Sequence, residues 1–217
     1  MRYPFGRILI FAKAPHPGQV KTRLIPALGA AAATRLQVEM TDMTVRKIAH
    51  SALAPVQLWC APGPGHPLFD TLRTQYGVTL HTQAGGDLGE RMANAFSAAL
   101  ADSRFAIALG TDWPLMDGGV VSEVCAALMD GIDAAVVPAE DGGYVLLGLR
   151  RYDDRIFTGI EWGGSDVMAR TRLHLDALTW RWKEWPPAWD LDRIEDLRRA
   201  QAAGFFSWLA PMQNSSP

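Results

Sequence analysis

Segments with the composition of β-strands alternate with segments that have the apolar spacing of α-helices along nearly the whole chain. Short β-branched and aromatic runs predict strands at residues 8–12, 56–60, 78–81, 105–109, 134–138, 144–149 and 179–183. Apolar side chains three and four positions apart predict helices over residues 29–52, 88–100, 120–129, 165–178 and 193–203. Because such alternation is typical of a sheet covered by helices, we expect an α/β fold with a mainly parallel sheet. Prolines and glycines predict a loop over 62–67.

The chain has 217 residues, a length that favours one domain over two. We expect a single domain over residues 1–210 and a disordered tail over 211–217. No stretch has the length of a membrane span, and the apolar run at 8–12 is too short for a signal peptide, so a cytoplasmic location is expected. The sequence contains no coiled-coil pattern and does not otherwise indicate an oligomeric state.

The net charge disfavours a nucleic-acid-binding protein, and the cysteine spacing disfavours a zinc protein. A net charge of −2 argues against general affinity for nucleic acids. Cys60 and Cys125 lie in apolar runs without the spacing of zinc ligands, and we expect them to be buried free thiols.

A loop rich in proline, glycine and cations follows the first predicted strand. The strand ends at Lys13, and Lys21 and Arg23 follow after Pro15 and Gly18. Backbone amides and cations at the carboxyl end of a strand are typical of an anion site in open α/β sheets, and phosphate is the most common anion there. A solvated basic loop would have the same composition, so both interpretations stay open.

Carboxylates occur in two places where they could meet this loop. Asp112 follows the predicted strand at 105–109, and Asp190 and Asp192 have the spacing that points two side chains to one side of an extended segment. Hard cations such as Mg²⁺ and Mn²⁺ bind carboxylate and phosphate oxygens together. Turn chemistry would also explain Asp112, and Asp192 with Glu195 matches a capping box of the last helix.

A glycine-rich segment at residues 83–91 opens a predicted helix. Asp87 and Glu90 match a capping box, which is the simpler explanation for both. The glycines would also let the backbone approach a base or a ribose closely. Arg91 would lie near the helix N-terminus, where a cation is unfavourable unless an anion offsets it.

Two further segments have both a structural and a functional interpretation. The Asp141-Gly142 turn matches a plain hairpin between two strands, and it could also contact a substrate. The alternation of Trp180 and Trp182 indicates packing on one face of the sheet. Trp162, which precedes two glycines, could instead stack on a sugar or an organic acceptor.

Several well-known catalytic motifs are absent from the sequence. It contains no Gly-x-Ser-x-Gly elbow, no His-Glu-x-x-His pair and no Walker loop, which disfavours hydrolases and P-loop enzymes. No Gly-x-Gly-x-x-Gly follows the first strand, which counts against a Rossmann dehydrogenase.

Taken together, these motifs resemble the nucleotide-diphospho-sugar transferase superfamily, which has the GT-A type fold. Within it the chain is similar to a family of small bacterial proteins described as glycosyltransferases or nucleotidyltransferases and long held as a domain of unknown function. Three positions depart from the family pattern, Trp113, Gly164 and Arg193, and they bear on the acceptor more than on the nucleotide. The matching segments are residues 13–24, 83–92, 110–115, 138–144, 161–165 and 190–197.

The resemblance implies a three-layer α/β/α sandwich around a mostly parallel, Rossmann-like sheet. It implies Mg²⁺ or Mn²⁺ on Asp112 together with Asp190 or Asp192. The candidate nucleotide-binding residues are Lys13, Pro15, Gly18, Lys21, Thr22, Arg23, Gln83, Gly85, Asp87, Gly89, Arg91 and Thr111. The candidate acceptor-binding residues are Trp113, Gly142, Gly143, Tyr144, Trp162 and Ser165.

We therefore expect an enzyme that uses a nucleotide or nucleotide sugar and a small-molecule acceptor. Lys21 and Arg23 would neutralise charge on the leaving phosphate, with the metal on Asp112 and Asp192. The cationic loop favours nucleotidyl transfer from a nucleoside triphosphate. The tryptophan-rich acceptor side favours glycosyl transfer, for which Asp141 is the candidate base. A non-catalytic nucleotide-binding domain is the third hypothesis.

Overall fold

A computed structural model describes residues 1–209 of the chain. Within these residues seven strands and six helices follow one another in a largely alternating order. The strands are β1 (Gly6–Lys13), β2 (Val56–Ala61), β3 (Thr79–Thr82), β4 (Phe105–Gly110), β5 (Ala134–Pro138), β6 (Tyr144–Leu149) and β7 (Trp182–Glu184). The helices are α1 (Ile25–Ser51), α2 (Pro67–Tyr76), α3 (Leu88–Leu100), α4 (Gly118–Met129), α5 (Val167–Ala177) and α6 (Ile194–Ala202).

The strands form one sheet in the order β3-β2-β1-β4-β6-β5-β7. All neighbouring pairs are parallel except those of β6, which runs antiparallel to both β4 and β5. Only five residues separate β5 from β6, too few for the crossover that a parallel pair needs. The two strands therefore form the hairpin that the Asp141-Gly142 turn predicts, and the mostly parallel sheet is confirmed.

Two apolar clusters cover the two faces of the sheet. Successive residues of β1 point to opposite faces, so Ile8 and Ile10 pack with α1, α2 and α4, while Leu9 packs with α3 and α5. Helix α6 packs on the first half of α1 in a third cluster. The structure is thus the expected α/β/α sandwich, and the central strands are buried on both faces as parallel sheets require.

Several boundaries differ from the sequence predictions. Helix α2 was not predicted, because the turn residues at 62–66 conceal its start: Pro67 is its first residue, and His66 Nδ1 accepts from the Leu68 N–H at 3.2 Å. Helix α1 begins at Ile25 and is interrupted at Gly29, where φ is +76°. Strand β7 is shorter than predicted, since Thr179 has a φ of +52°. The predicted tail at 211–217 lies outside the described residues.

Two further findings concern the cysteines and the search for membrane-spanning helices. Cys60 and Cys125 are buried free thiols, as predicted. No helix within residues 1–209 combines the length and the apolar character needed to cross a bilayer.

Candidate functional site

A cavity of about 510 Å³ opens at the carboxyl ends of β1, β2 and β4. We call it the donor cavity, because several of the predicted nucleotide-binding residues line it. It is bounded by the basic loop after β1, by the start of α3, by residues 110–112 and by Asp192 from the segment before α6. Four cationic side chains line it, against two carboxylates, so its local charge is positive although the whole chain is slightly acidic. The cations are Lys13, Lys21, Arg23 and Arg91.

Lys21 lies at the centre of this site. Its side chain is only 3% exposed, and its Nζ lies 2.9 Å from Asp112 Oδ1 and donates to the Leu191 carbonyl oxygen. Its backbone adopts the left-handed conformation, with φ 48° and ψ 40°, which is unfavourable for a lysine. Such a conformation persists where the surroundings enforce it, and here the ammonium group lies inside the protein between Asp112 and the Leu191 carbonyl.

The other cations of the donor cavity are held by local contacts. Lys13 Nζ donates to the Gln19 carbonyl at 2.8 Å, and Arg91 Nε donates to the Gly85 carbonyl at 3.1 Å. Arg23 pairs with Asp192, whose hydrogen bond and charge raise the pKa of the guanidinium. The cations of the basic loop and of α3 therefore line one cavity, although Lys13 and Arg23 remain exposed to solvent.

Several predicted nucleotide-binding residues line the donor cavity and others do not. Thr22, Gln83 and Thr111 line it, and Gln83 Nε2 donates to the Trp59 carbonyl at 2.8 Å, which ties the loop to the ends of the strands. The residues that lie outside its lining are Pro15, Gly18, Gly85, Asp87 and Gly89.

Two of these residues, Asp87 and Gly89, have structural roles at the start of α3. Asp87 is the N-cap of the helix and accepts from the Glu90 N–H at 2.8 Å, as predicted. The other predicted hydrogen bond of the capping box, from the Asp87 N–H to the Glu90 side chain, is wrong. Glu90 Oε2 accepts from the Gly86 N–H at 2.7 Å instead. Gly89 faces the indole of Trp162: a Cβ at this position would lie 2.1 Å from Trp162 Nε1.

A second cavity of about 260 Å³ adjoins the first one, and we call it the acceptor cavity because most of the predicted acceptor-binding residues line it. The two cavities share Leu88, Gly110 and Asp112, so Asp112 lies at their junction. Four of the six predicted acceptor-binding residues line the acceptor cavity: Trp113, Gly143, Tyr144 and Trp162.

The other two predicted acceptor-binding residues do not line this cavity. Gly142, with φ +96°, packs so closely that a Cβ would lie 2.0 Å from the Ser165 carbonyl oxygen. Ser165 lines a third cavity of about 340 Å³, together with Asp141, Asp190 and Asp192. Gly142 and Ser165 therefore shape the turn beside the acceptor cavity.

Four carboxylates approach one another around the junction: Asp112, Asp141, Asp190 and Asp192. Burial, followed by the negative charges of Asp141, Asp112 and Asp192, raises the pKa of the Asp190 carboxyl to about 6. Asp112 is half exposed, but its Oδ1 is buried, and within residues 1–209 no donor meets this oxygen with hydrogen-bond geometry. The 2.9 Å contact with Lys21 Nζ is an ion pair.

The predicted capping role of Asp192 is wrong. Helix α6 begins after Arg193, and Asp196 accepts from the backbone N–H groups of Asp192 (3.1 Å) and Arg193 (2.6 Å). The sequence pattern was displaced by one residue, because Asp196 and not Glu195 lies where it can reach back to the chain before the helix. The Asp192 side chain is thereby left to pair with Arg23.

A metal ion would not find a complete set of protein ligands here. Within residues 1–209, no three His, Cys, Asp or Glu side chains are grouped closely enough to hold an ion by themselves. Asp112 and Asp190 are the carboxylates best suited to contribute. Asp112 has a buried oxygen without a hydrogen bond, and the surrounding negative charge that raises the pKa of Asp190 would be offset by a cation.

The sequence analysis missed several residues that line the donor cavity, and Gln37 is the buried polar residue among them. Gln37 of α1 is buried, and its Nε2 donates to Thr111 Oγ1 at 3.0 Å and to Thr41 Oγ1 at 3.3 Å. This contact ties α1 to the turn that carries Asp112. The available signal was a glutamine on the predicted buried face of the helix, next to Leu36 and Met40.

Comparison with solved structures shows that the molecule shares its fold with proteins named as transferases. A protein from Desulfovibrio desulfuricans G20, provisionally named a nucleotide-diphospho-sugar transferase, is 29% identical with a TM-score of 0.85. The alignment covers 94% of this chain and 89% of that one.

Two more distant structures share the fold. A nucleotidyl transfer enzyme of Methanothermobacter thermautotrophicus is 11% identical over 92% of this chain and 97% of its own, with a TM-score of 0.60. The 4-diphosphocytidyl-2C-methyl-D-erythritol synthase of Anaerococcus prevotii DSM 20548 is 10% identical over 92% and 98%, with a TM-score of 0.59. At these identities the similarity shows the fold alone.

Comparison with curated proteins and with family models gives two further findings. No curated protein matches the sequence. A family model described as an uncharacterized protein conserved in bacteria (DUF2064) matches residues 44–164, which is more than half of the chain and includes Asp112, Asp141 and Trp162. The chain therefore belongs to the DUF2064 family and has the fold of the nucleotide-diphospho-sugar transferases.

Proposed function

We propose that the protein is a divalent-metal-dependent nucleotidyltransferase, which transfers a nucleotidyl group from a nucleoside triphosphate to a small-molecule acceptor. The observation that carries the proposal is the division of the site at Asp112. On one side lies a cavity lined by four cations, and on the other lies an aromatic and acidic cavity. The names of the two nucleotidyl-transferring structures with this fold are consistent with it.

The donor cavity is suited to a triphosphate. Its volume, about 510 Å³, lies within the range of small-molecule sites. Lys21 and Arg23 would neutralise the charge that develops on the departing pyrophosphate, and Lys13 and Arg91 would hold the remaining phosphate oxygens. Because phosphoryl chemistry requires mainly positioning and charge stabilisation, a protein nucleophile is not needed.

We assign the metal site to Asp112 and Asp190, with Mg²⁺ or Mn²⁺ as the ion. One or two carboxylates together with substrate phosphates are the usual ligands of Mg²⁺ in enzymes, which agrees with the incomplete protein ligand set. Asp192 is the less suitable second ligand because it pairs with Arg23. When bound, the ion would supply charge neutralisation at the reacting phosphate.

Glycosyl transfer from a nucleotide sugar is the second candidate. The observation that favours it is Asp141, an exposed carboxylate that lines the acceptor cavity beside Tyr144 and Trp162. Its Oδ1 accepts from the Gly143 N–H at 2.9 Å, which fixes its orientation. A base in this place is what an inverting glycosyl transfer would need.

The test is thermal unfolding of the wild-type protein with each of the four nucleoside triphosphates, UDP, GDP, UDP-glucose and GDP-mannose. Each is measured in Mg²⁺, in Mn²⁺ and in EDTA. A ligand that binds only the folded protein stabilises it by about 2.7 kcal/mol at a hundredfold excess over Kd. We expect metal-dependent stabilisation by at least one triphosphate, and its loss in Arg23→Ala and in Asp112→Asn.

Arg155→Ala is the matched control for Arg23→Ala. Arg155 is similarly exposed and pairs with an aspartate, Asp153, but it lies outside the donor cavity. Stabilisation by nucleotide sugars and diphosphates alone would instead favour glycosyl transfer. Stabilisation that persists in EDTA and in Asp112→Asn would indicate a non-catalytic nucleotide-binding domain. No stabilisation by any of these nucleotides would overturn the proposal.

A further inference from the structure

We infer that the acceptor is a small hydroxyl compound that carries neither a phosphate nor a carboxylate group and that presents an apolar or ring face to the protein. The inference rests on the proposed function and names the substrate class of the acceptor cavity. Three properties of that cavity carry it: its aromatic walls, the sign of its charges and its size.

The walls are mainly aromatic and aliphatic. Trp113, Tyr144 and Trp162 line the acceptor cavity together with Val145 and Val167. The rings of Tyr144 and Trp162 stand at 86° with centroids 6.3 Å apart, so they form a corner. Such surfaces favour the C–H face of a polyol ring or an aliphatic chain.

The hydroxyl of Tyr144 does not supply a polar contact to this corner. It donates to Met92 Sδ at 3.6 Å, on the side where Tyr144 packs against the core of α3. The ring itself is therefore the surface that an acceptor would meet.

The charged side chains that line the acceptor cavity are all acidic: Asp112, Asp141 and Asp190. Among residues 1–209 no lysine, arginine or histidine lines it, and residues 210–217 contain none in the sequence. An anionic acceptor would enter this field without a counter-charge, and like charges in close contact cost several kcal/mol. The donor cavity, with its four cations, has the opposite chemistry.

Two cations of the neighbouring donor cavity are already engaged there. Lys21 Nζ contacts Asp112 and the Leu191 carbonyl, and Arg23 pairs with Asp192. Arg23 and Arg193 border the third cavity, but neither of them lines the acceptor cavity. A divalent cation on Asp112 and Asp190 would be shared with the phosphates of the donor nucleotide, so it would not serve as the counter-charge of an anionic acceptor.

The size of the acceptor cavity limits the acceptor to a small molecule. Its volume of about 260 Å³ equals that of about nine water molecules at roughly 30 Å³ each. In the transfer, the acceptor's hydroxyl oxygen would bond to the α-phosphorus as the bond to pyrophosphate breaks. Pyrophosphate would leave with the bonding electrons, and the hydroxyl proton would pass to Asp141. The product would be a phosphodiester on an alcohol oxygen.

The test compares matched pairs of compounds by saturation-transfer NMR on the full chain with Mg²⁺. The pairs are glucose and glucose 1-phosphate, glycerol and glycerol 3-phosphate, and methyl lactate and lactate. We expect the uncharged member to bind at least about tenfold more tightly, since like-charge contact opposes the anion. We expect that binding to be lost in Trp162→Leu and kept in Trp182→Leu, whose tryptophan lies outside the acceptor cavity.

Tighter binding of the phosphate or carboxylate members at the Trp162-dependent site would overturn the inference. Binding of neither member would overturn it as well, because the cavity would then not accept this class. Both results are distinguishable from failure of the proposed function, which is read separately from nucleotide-dependent stabilisation of the same protein. As a further check, Asp141→Asn should improve binding of the anionic members relative to the uncharged ones.

Discussion

Lys21 combines a backbone conformation that is rare for lysine with an almost complete loss of solvent contact. Its ammonium group contacts both Asp112 and the Leu191 carbonyl. Leu191 lies 170 positions after Lys21 in the sequence. The left-handed backbone directs the side chain into the site, while Arg23, two residues later, stays exposed and pairs with Asp192. Two neighbouring cations therefore have different surroundings, and only Lys21 is fixed as part of the interior.

Asp133 is the buried carboxylate on the opposite edge of the sheet, before β5. It is 8% exposed and accepts from the Arg150 guanidinium at 2.9 Å and from the Arg181 N–H at 3.1 Å. Burial alone would raise its pKa, but these hydrogen bonds and the charges of Arg150 and Arg151 outweigh it and hold the pKa below its usual value. Its contribution to stability should therefore depend on pH.

Asp133→Asn should lower the free energy of unfolding at pH 7 by about 1.5–3 kcal/mol, the range for hydrogen bonds to charged groups. Because the folded-state pKa is depressed, this stabilisation is complete above the unfolded-state pKa of about 3.9 and is lost as the pH falls through the folded-state value. Urea unfolding of variant and wild type at pH 7 and pH 3 should show a smaller difference at pH 3.

Asp70→Asn is the control for this prediction, since Asp70 pairs with Arg73 at an exposed site. We expect it to change the free energy of unfolding by less than about 1 kcal/mol. An equal loss at both pH values in Asp133→Asn would contradict an electrostatic origin.

Helix α3 connects the two cavities at the scale of secondary structure. Leu88, its first residue, lines both of them, and Arg91 in the same turn lines the donor cavity. One residue after Leu88, Gly89 lies against the indole of Trp162. The position of the acceptor wall therefore depends on the absence of a side chain at Gly89.

Gly89→Ala should destabilise the protein, although alanine is the better helix former by about 1 kcal/mol. A Cβ at this position would lie 2.1 Å from Trp162 Nε1 and 2.5 Å from Cε2. Overpacking of this kind typically costs about 1–3 kcal/mol, which exceeds the gain in propensity. Thermal unfolding and tryptophan fluorescence should show a lower Tm and a displaced indole.

Gly118→Ala in the first turn of α4 is the matched control, because nothing lies within 4 Å of a Cβ there. It should leave Tm unchanged or raise it. A Gly89→Ala variant as stable as Gly118→Ala, with unchanged fluorescence, would show that Trp162 does not depend on this contact.

At the scale of the whole molecule, one core cluster runs through both halves of the chain. Cys60 in β2 and Cys125 in α4 both belong to it, together with residues of β1, β4 and β5. Burial raises the pKa of each thiol to about 12. Neither thiol should react with reagents for thiolates until the core opens.

Both thiols should therefore become reactive at the urea concentration at which the helical circular dichroism signal is lost. A chain that folds as a single domain exposes its core in one cooperative step. Reaction with Ellman's reagent at pH 8, in Cys60→Ala and in Cys125→Ala, reports each remaining thiol separately. A midpoint for Cys60 well below that for Cys125 would show that the N-terminal half unfolds independently, against a single domain.

Local sequence patterns predicted the layers of this fold and much of its site. Within residues 1–209, the apolar runs and helical spacings identified the seven strands and five of the six helices, because burial of one face imposes a period on neighbouring residues. The cations after β1 and Asp112 after β4 were identifiable for the same reason, since the ends of buried strands are marked by local changes of composition. Helix α2 was missed because the turn residues before it carry the stronger local signal.

Contacts between distant segments were decided only by the tertiary structure. No local pattern shows that β6 inserts between β4 and β5, or that the segment before α6 lies over the basic loop. The pairing of Arg23 with Asp192, the burial of Lys21 and the contact of Gly89 with Trp162 depend on that arrangement. The physical reason is that periodicity specifies which face of an element is buried, whereas the partner of that face is selected by the packing of the whole chain.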